Sequence, residues 1–193
     1  LVADNIASQI RDKVILITGA AGSIGSEIVY QVMKFDPKLV VLLDQAESPM
    51  HTLKMDLEKK FEDKNIAVFL GDVKNKDRMD FMMDLYRPDI VYHAAAYKHV
   101  PMMEDNPVES ILTNVQGTKI MADLSLKYKV ERFVMVSTDK AVNPTNVMGA
   151  SKRVAEIYVQ SLFKKYHSTM NGSTTKFITT RFGNVLGSNG SVI

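Results

Sequence analysis

Two periods of apolar residues divide this chain. Short, nearly unbroken apolar runs occupy residues 14–18, 39–43, 66–70 and 90–93, and two more cover 132–137 and 176–181. Runs of that length, rich in Val and Ile and closed by Gly, Asp or a polar residue, read as buried parallel strands. Between them the spacing becomes helical. Ile24, Ile28, Val32 and Phe35 mark a helix over 23–35, punctuated by Pro37, and Met50, Leu53, Leu57 and Phe61 mark one over 48–61. A third helix over 76–86 stops before Pro88. Long helices are predicted over 107–128, where Pro107 suits a first helical position, and over 145–166. Residues 170–175 read as a polar turn.

Regular strand–helix alternation predicts an α/β fold: a doubly wound parallel sheet covered on both faces, with strand order 3-2-1-4-5-6. Such sheets bind ligands beyond the carboxyl ends of their strands. The 193 residues suit one domain, 1–193. The first residue is not Met and the last three carry no capping signal, which predicts a piece of a longer protein.

Composition narrows the options. A net charge of +2 does not argue for nucleic acid or an anionic membrane surface. No cysteine is present, so disulfides, thiolate nucleophiles and thiolate metal sites are excluded. His51, His93 and His99 lack metal-ligand spacing, so no metal is expected. No apolar run reaches the ~18 residues of a membrane span, and residues 1–11 do not resemble a signal peptide. The methionines, such as Met79, Met82 and Met83, fall at core spacing and read as packing.

The chemistry lies at strand ends. Gly19, Ala21, Gly22, Ser23, Ile24 and Gly25 link the first strand to the first helix. Glycines there permit a tight turn and close approach of backbone to a pyrophosphate at a helix N-terminus. Asp44 closes the second strand about 20 positions on, where a carboxylate grips the adenosine ribose. Asp44 followed by Gln45, with no Arg next to it, favours NAD, while His51 and Lys54 leave NADP open. Asp72 and Val73 follow the third strand, placed for the adenine; Asp72 would equally cap a turn.

The G-x-x-G-x-x-G spacing after Thr18 resembles the short-chain dehydrogenase/reductase superfamily. Ala94, Ala95 and Ala96 after His93 match its small-residue segment beside the cofactor, and Thr113-Asn114-Val115 through Gly117-Thr118 matches a helix signature of its extended members. That superfamily uses a Tyr four positions before a Lys. Lys152 fits, but the residue four before it is Met148, whose thioether has no proton to exchange.

A narrower resemblance accommodates Met148. Ser137-Thr138-Asp139-Lys140-Ala141, Asn143-Pro144 and Met148-Gly149-Ala150-Ser151-Lys152-Arg153 resemble CapD-type polysaccharide biosynthesis proteins. So do Tyr97-Lys98-His99-Val100-Pro101 and Arg181-Phe182-Gly183-Asn184-Val185. These are bacterial nucleotide-sugar 4,6-dehydratases whose larger members carry Met in place of Tyr. The resemblance implies an extended Rossmann fold lacking its C-terminal substrate lobe. It also implies a tightly bound, recycled NAD or NADP, and a UDP-sugar substrate, with UDP-N-acetylglucosamine the first choice. Surface polysaccharide or glycan synthesis in the cytoplasm, or at the cytoplasmic face of the inner membrane, is the implied setting. The implied reaction oxidises C4, eliminates water across C5–C6 and returns the hydride to C6.

By the same resemblance Asp139 is the acid toward the C6 hydroxyl and Lys140 the base at C5. Thr138 bonds the C4 oxygen, and Lys152 holds the nicotinamide ribose. With Met148 inert, Asp139 also takes the C4-hydroxyl proton. Asp139 must then be protonated and Lys140 neutral when they act, which burial favours and a close ion pair opposes. Lys98, His99 and Asn184 are the expected sugar or diphosphate contacts, although His99 would equally pack or bond a carbonyl. Asn114 is expected to fix backbone near the site. Two copies are expected to pair through the helices 107–128 and 145–166. The competing readings are a 4-epimerase, which needs the missing Tyr, and a non-catalytic NAD(P)-sensing module.

Overall fold

The computed structural model describes residues 2–61, 65–169 and 175–183. Residues 170–174 of the turn expected over 170–175, and Asn184, lie outside the described residues. Six parallel strands form one sheet: β1 Val14–Thr18, β2 Leu39–Asp44, β3 Ile66–Leu70, β4 Ile90–His93, β5 Arg132–Thr138 and β6 Lys176–Phe182. Their order is β3-β2-β1-β4-β5-β6, the order expected from the alternation. The chain reverses direction of winding between β1 and β4, and the crevice opens at that switch point.

Side chains alternate between two cores. Leu16, Val41, Leu43, Val91 and Phe133 share one with Met79, Met82, Met83, Met121 and Val159. Ile15, Ile17, Val40, Leu42 and Ile90 share the other with Val29, Val32, Met50, Leu53 and Leu57. Each fully buried side chain of this size contributes roughly 1.5–3 kcal/mol. The helices carrying them are α2 Ser23–Val32, α3 Glu47–Lys60, α4 Lys76–Tyr86, α7 Thr118–Lys127 and α8 Val147–Thr169.

Four features differ from the sequence reading. First, α1 Val2–Ile10 and the short α5 Val100–Asp105 were not anticipated; α5 has six residues, too few to show a period. Second, the helix over 23–35 ends as a 3-10 turn, Met33–Phe35, with Asp36 left-handed at φ 53°. Third, the helix over 107–128 is not uniform. It begins as α6 Pro107–Ser110, widens to a π-helical stretch Ile111–Gly117, and continues as α7. The wider winding buries the consecutive residues Thr113 and Asn114 together. Gly117 brings this stretch against Val73, since a Cβ there would lie 2.7 Å from Val73 Cγ2. Fourth, among the described residues the sheet is not covered throughout. Ile178 and Phe182 on β6 are 41% and 43% exposed, because β6 is an edge strand packed chiefly by α8.

Candidate active site

Two adjoining clefts open above the carboxyl ends of the strands. The smaller, about 140 Å³, is walled by Asp44, Gln45, Gly71, Asp72, Val73, Thr113 and the alanines 94–96. The larger, about 510 Å³, runs from the glycine loop past Lys98 and His99 to Ser137, Thr138, Lys140, Met148 and Lys152. Gly19, Gly22, Ala94, Ala96 and Tyr97 belong to both.

The glycine loop fits a dinucleotide for steric reasons. Gly19 has φ +67°, and a Cβ there would sit 2.6 Å from Ala95 N. At Gly25 a Cβ would lie 2.0 Å from Gly19 O. These two glycines let strand, loop and helix close on one another. No side chain caps α2, so its positive end faces the cleft that Gly22, Ser23, Ile24 and Gly25 line. Asp44 anchors the loop: Oδ2 accepts from Ala21 N at 3.0 Å and Oδ1 from Ala46 N at 3.0 Å. A carboxylate has about four acceptor positions, so two remain for a ribose diol. Asp72 both lines the smaller cleft and caps its turn, accepting from Lys74 N at 2.9 Å.

A chain of hydrogen bonds fixes the floor between the clefts. His93 is fully buried, with Nδ1 2.8 Å from Thr18 Oγ1 and Nε2 3.0 Å from Thr118 Oγ1. Thr118 spends its proton on Asn114 O at 2.7 Å, so His93 Nε2 carries the hydrogen that Thr118 accepts. Thr18 accepts from Ala95 N at 3.3 Å and donates to Nδ1. Burial first, and the nearby Lys152 charge second, lower His93 to about 3. His93 is therefore a neutral structural link between β1, β4 and α7.

Asn114 holds backbone, as expected. Its Oδ1 accepts from Tyr97 N at 2.8 Å, and its Nδ2 donates to Tyr97 O at 3.0 Å and Ser151 Oγ at 3.0 Å. Ser110 donates to Ser151 at 2.9 Å, and Ser151 to Met148 O at 2.7 Å. The loop after β4 and the first turn of α8 are thus tied through one buried amide. Tyr97 crosses between the clefts and accepts from Gln45 Nε2 at 3.4 Å. Tyr97, Thr113 and Gly71 as cofactor-cleft residues escaped the sequence reading, since none stands at a motif's variable-chemistry position. Lys98 and His99 are exposed on the cleft wall, and the His99 ring is not packed away.

Beyond β5 the chain makes a 3-10 turn, Asp139–Ala141. Thr138 Oγ1 donates to Asp139 Oδ1 at 3.0 Å, and Lys140 Nζ donates to the same oxygen at 3.3 Å. Thr138 and Lys140 line the larger cleft; Asp139 stands behind them, facing Gly183. Of the two opposing influences on this pair, the structure holds the close ion pair and not the burial. Asp139 and Lys140 side chains are 57% and 36% exposed, and hydrogen bonds from Thr138 and then Lys140 hold the Asp139 carboxyl below its ordinary value. Among the described residues nothing roofs the turn on its outer side, and exposed ion pairs of this kind hold weakly.

Met148 and Lys152 sit one helical turn apart on the buried face of α8, at 3% and 4% exposure. Lys152 Nζ donates to Val136 O at 2.6 Å. Burial lowers Lys152 to about 8, with Glu156 pulling the other way. Among the described residues no three His, Asp or Glu side chains converge as a metal site, and no helix is long and apolar enough to cross a membrane.

Comparison with known proteins places this arrangement. The capsular polysaccharide biosynthesis protein CapD of Staphylococcus aureus is 49% identical over 189 residues, covering 97% of this chain and 31% of that protein. A UDP-N-acetylglucosamine 4,6-dehydratase (inverting) of Campylobacter jejuni is 36% identical over 183 residues, covering 94% of this chain and 52% of that protein. A UDP-glucose 4-epimerase of Rickettsia canadensis is 39% identical over 189 residues, with coverage of 94% and 52%. Among solved structures, Pen from Bacillus thuringiensis superposes with a TM-score of 0.83 at 38% identity, over 95% of this chain and 53% of Pen. The chain thus spans between a third and about half of the relatives it matches. The match to the family of polysaccharide biosynthesis proteins runs over residues 15–193. Since that range takes in every residue lining both clefts, the chain belongs to the polysaccharide biosynthesis protein family, on an extended short-chain dehydrogenase/reductase fold.

Proposed function

We propose that this chain is the cofactor-binding and catalytic half of a UDP-sugar 4,6-dehydratase, acting on UDP-N-acetylglucosamine for surface polysaccharide or glycan synthesis. The carrying observation is that Lys140, Thr138, Met148 and Lys152 share one cleft with the glycine loop. The Lys140 amine therefore stands beside a dinucleotide site where Met148 replaces the proton-exchanging Tyr, and the Asp139 carboxyl is held directly behind it by Lys140 and Thr138.

The smaller cleft suits adenosine, with Asp44 on the ribose; a 2′-phosphate there would meet a carboxylate, which favours NAD over NADP. The nicotinamide, when bound, supplies the acceptor and later the donor of one hydride. Lys152 orients its ribose. Thr138 holds the C4 oxygen. Lys140 removes the C5 proton, Asp139 protonates the departing C6 hydroxyl after first receiving the C4-hydroxyl proton, and Lys140 returns its proton to C5 as the hydride goes back to C6. The exposed Asp139–Lys140 pair must separate for this, and bound substrate supplies the burial that favours the two neutral forms. Lys98 is the favoured diphosphate or sugar contact, and His99 and Asn184 are further candidate contacts.

Support for a second copy comes from an apolar face. Val108, Ile111, Val154 and Ile157 are 64%, 53%, 50% and 52% exposed on the two helices expected to pair. The epimerase among the relatives favours a 4-epimerase as the second reading. It must move a proton at C4 without a Tyr, since Met148 cannot.

The test is incubation of the full-length protein with UDP-N-acetylglucosamine. A 4-keto-6-deoxy product supports the proposal, and a C4 epimer as the sole product overturns it. Asp139→Asn is expected to abolish cofactor reduction on mixing with substrate. Full reduction in that variant removes Asp139 from the C4 step.

A further inference from the structure

Lys152 poses an electrostatic problem that the proposed reaction does not solve. Its ammonium is 4% exposed and donates to a backbone carbonyl, Val136 O. A buried cation without a counter-charge is costly. The nearest anion on its own helix is Glu156, one turn on, at roughly 5–6 Å between Cβ atoms. Glu156 is itself wholly buried. It is gripped by Arg181 of β6, whose Nε lies 2.9 Å from Oε1 and whose Nη2 lies 2.6 Å from Oε2, and by Arg153 Nη1 at 3.0 Å.

The other ionisable groups around Lys152 do not replace it. His93 on β4 is neutral. On the turn after β5, Asp139 is occupied by Thr138 and Lys140. Lys98 and His99, on the loop after β4, offer no negative charge to the cleft they share with Lys152. The glycine loop brings no charged side chain, and the π-helical stretch contributes the uncharged Asn114.

We propose that Glu156 is a positioning residue for Lys152: clamped to β6 by Arg181, it is the internal counter-charge that keeps the buried ammonium charged where it meets the cofactor ribose. The proposal rests on the reading of Lys152 as the ribose contact. The two guanidiniums set the strength of the counter-charge, because each partly neutralises the carboxylate. Removing the carboxylate lowers the pH at which Lys152 loses its proton; removing a guanidinium raises it. Burial raises the Glu156 carboxyl, but hydrogen bonds headed by Arg181 outweigh it and hold the group at about 2, so Glu156 stays charged throughout the range concerned.

The experiment is NAD affinity against pH, from about pH 6 to 10, by titration calorimetry on the full-length protein. In the unsubstituted protein, affinity falls as pH rises past about 8. Lys152→Met removes that break, which assigns it to Lys152. Glu156→Gln moves the break down by about one pH unit, and Arg181→Met moves it up. A merely structural clamp would weaken binding in both variants without opposite shifts. If the break stays in place in Glu156→Gln, or both variants shift the same way, the inference is wrong and the Lys152 reading stands. If Lys152→Met keeps the break, both are wrong. Should Glu156→Gln fail to fold, the Arg181→Met shift decides alone: upward supports the counter-charge, and no shift or a downward one overturns it.

Discussion

Acidification should unfold this protein through His93. Its ring is buried between Thr18 and Thr118, and every donor in the chain from Ala95 N to Asn114 O is already committed. A second ring proton would have to displace the Thr18 hydroxyl proton and place a cation near Lys152. The folded value is about 3 against an ordinary 6.5. The unfolded chain therefore binds a proton that the folded chain refuses, and stability rises with pH across that window. Above 6.5 the group contributes nothing; below it, each pH unit costs about 1.4 kcal/mol. Two units of acidification cost about 3 kcal/mol, a large share of the roughly 5–15 kcal/mol that holds a domain together. The assay is urea unfolding followed by circular dichroism between about pH 7.5 and 4.5, on the natural sequence and on His93→Gln. The carboxylates are common to both, so the difference in unfolding free energy isolates His93. That difference should shrink steadily, or change sign, as pH falls below 6.5. A difference that stays flat across the window would refute the reasoning.

Two further substitutions test the scaffold. Gly25→Ala places a methyl group about 2.0 Å from Gly19 O, so the loop must open. It should cost about 1–3 kcal/mol or more and abolish NAD binding. Gly22→Ala, at 3.3 Å from the same oxygen, should fold with a nearly unchanged melting temperature, and equal losses in the two would sink this account. Asn114→Ala strands the Tyr97 N–H and C=O, at about 1–3 kcal/mol for each group left unpaired. Chemical denaturation that detects under about 1 kcal/mol would show that water replaces the amide.

Much of this was legible locally. Apolar runs of strand length, separated by helical spacing, specify the alternation, and right-handed crossovers then restrict the strand order to the one observed. The glycine loop, Asp44 and the residues 138–152 stand at strand ends because each motif directly follows its strand. Met148 and Lys152 share a face because four residues make about one helical turn.

What the sequence could not decide depends on distance and burial. His93 contacts residues 75 and 25 positions away, so neither its neutrality nor its tautomer can be read from neighbours. The π-helical stretch packs Gly117 against Val73 of the loop after β3, an approach between parts of the chain far apart in sequence. The Asp139–Lys140 pair reads in sequence as an acid and base whose roles burial would favour, yet the fold leaves it open, because burial belongs to whatever covers a turn and not to the turn itself. Glu156 stands in no motif of the sequence, and its ion pair exists only because β6 brings Arg181 against it from 25 positions away. Short-range periodicity fixes which faces meet; only the folded chain fixes which charges do.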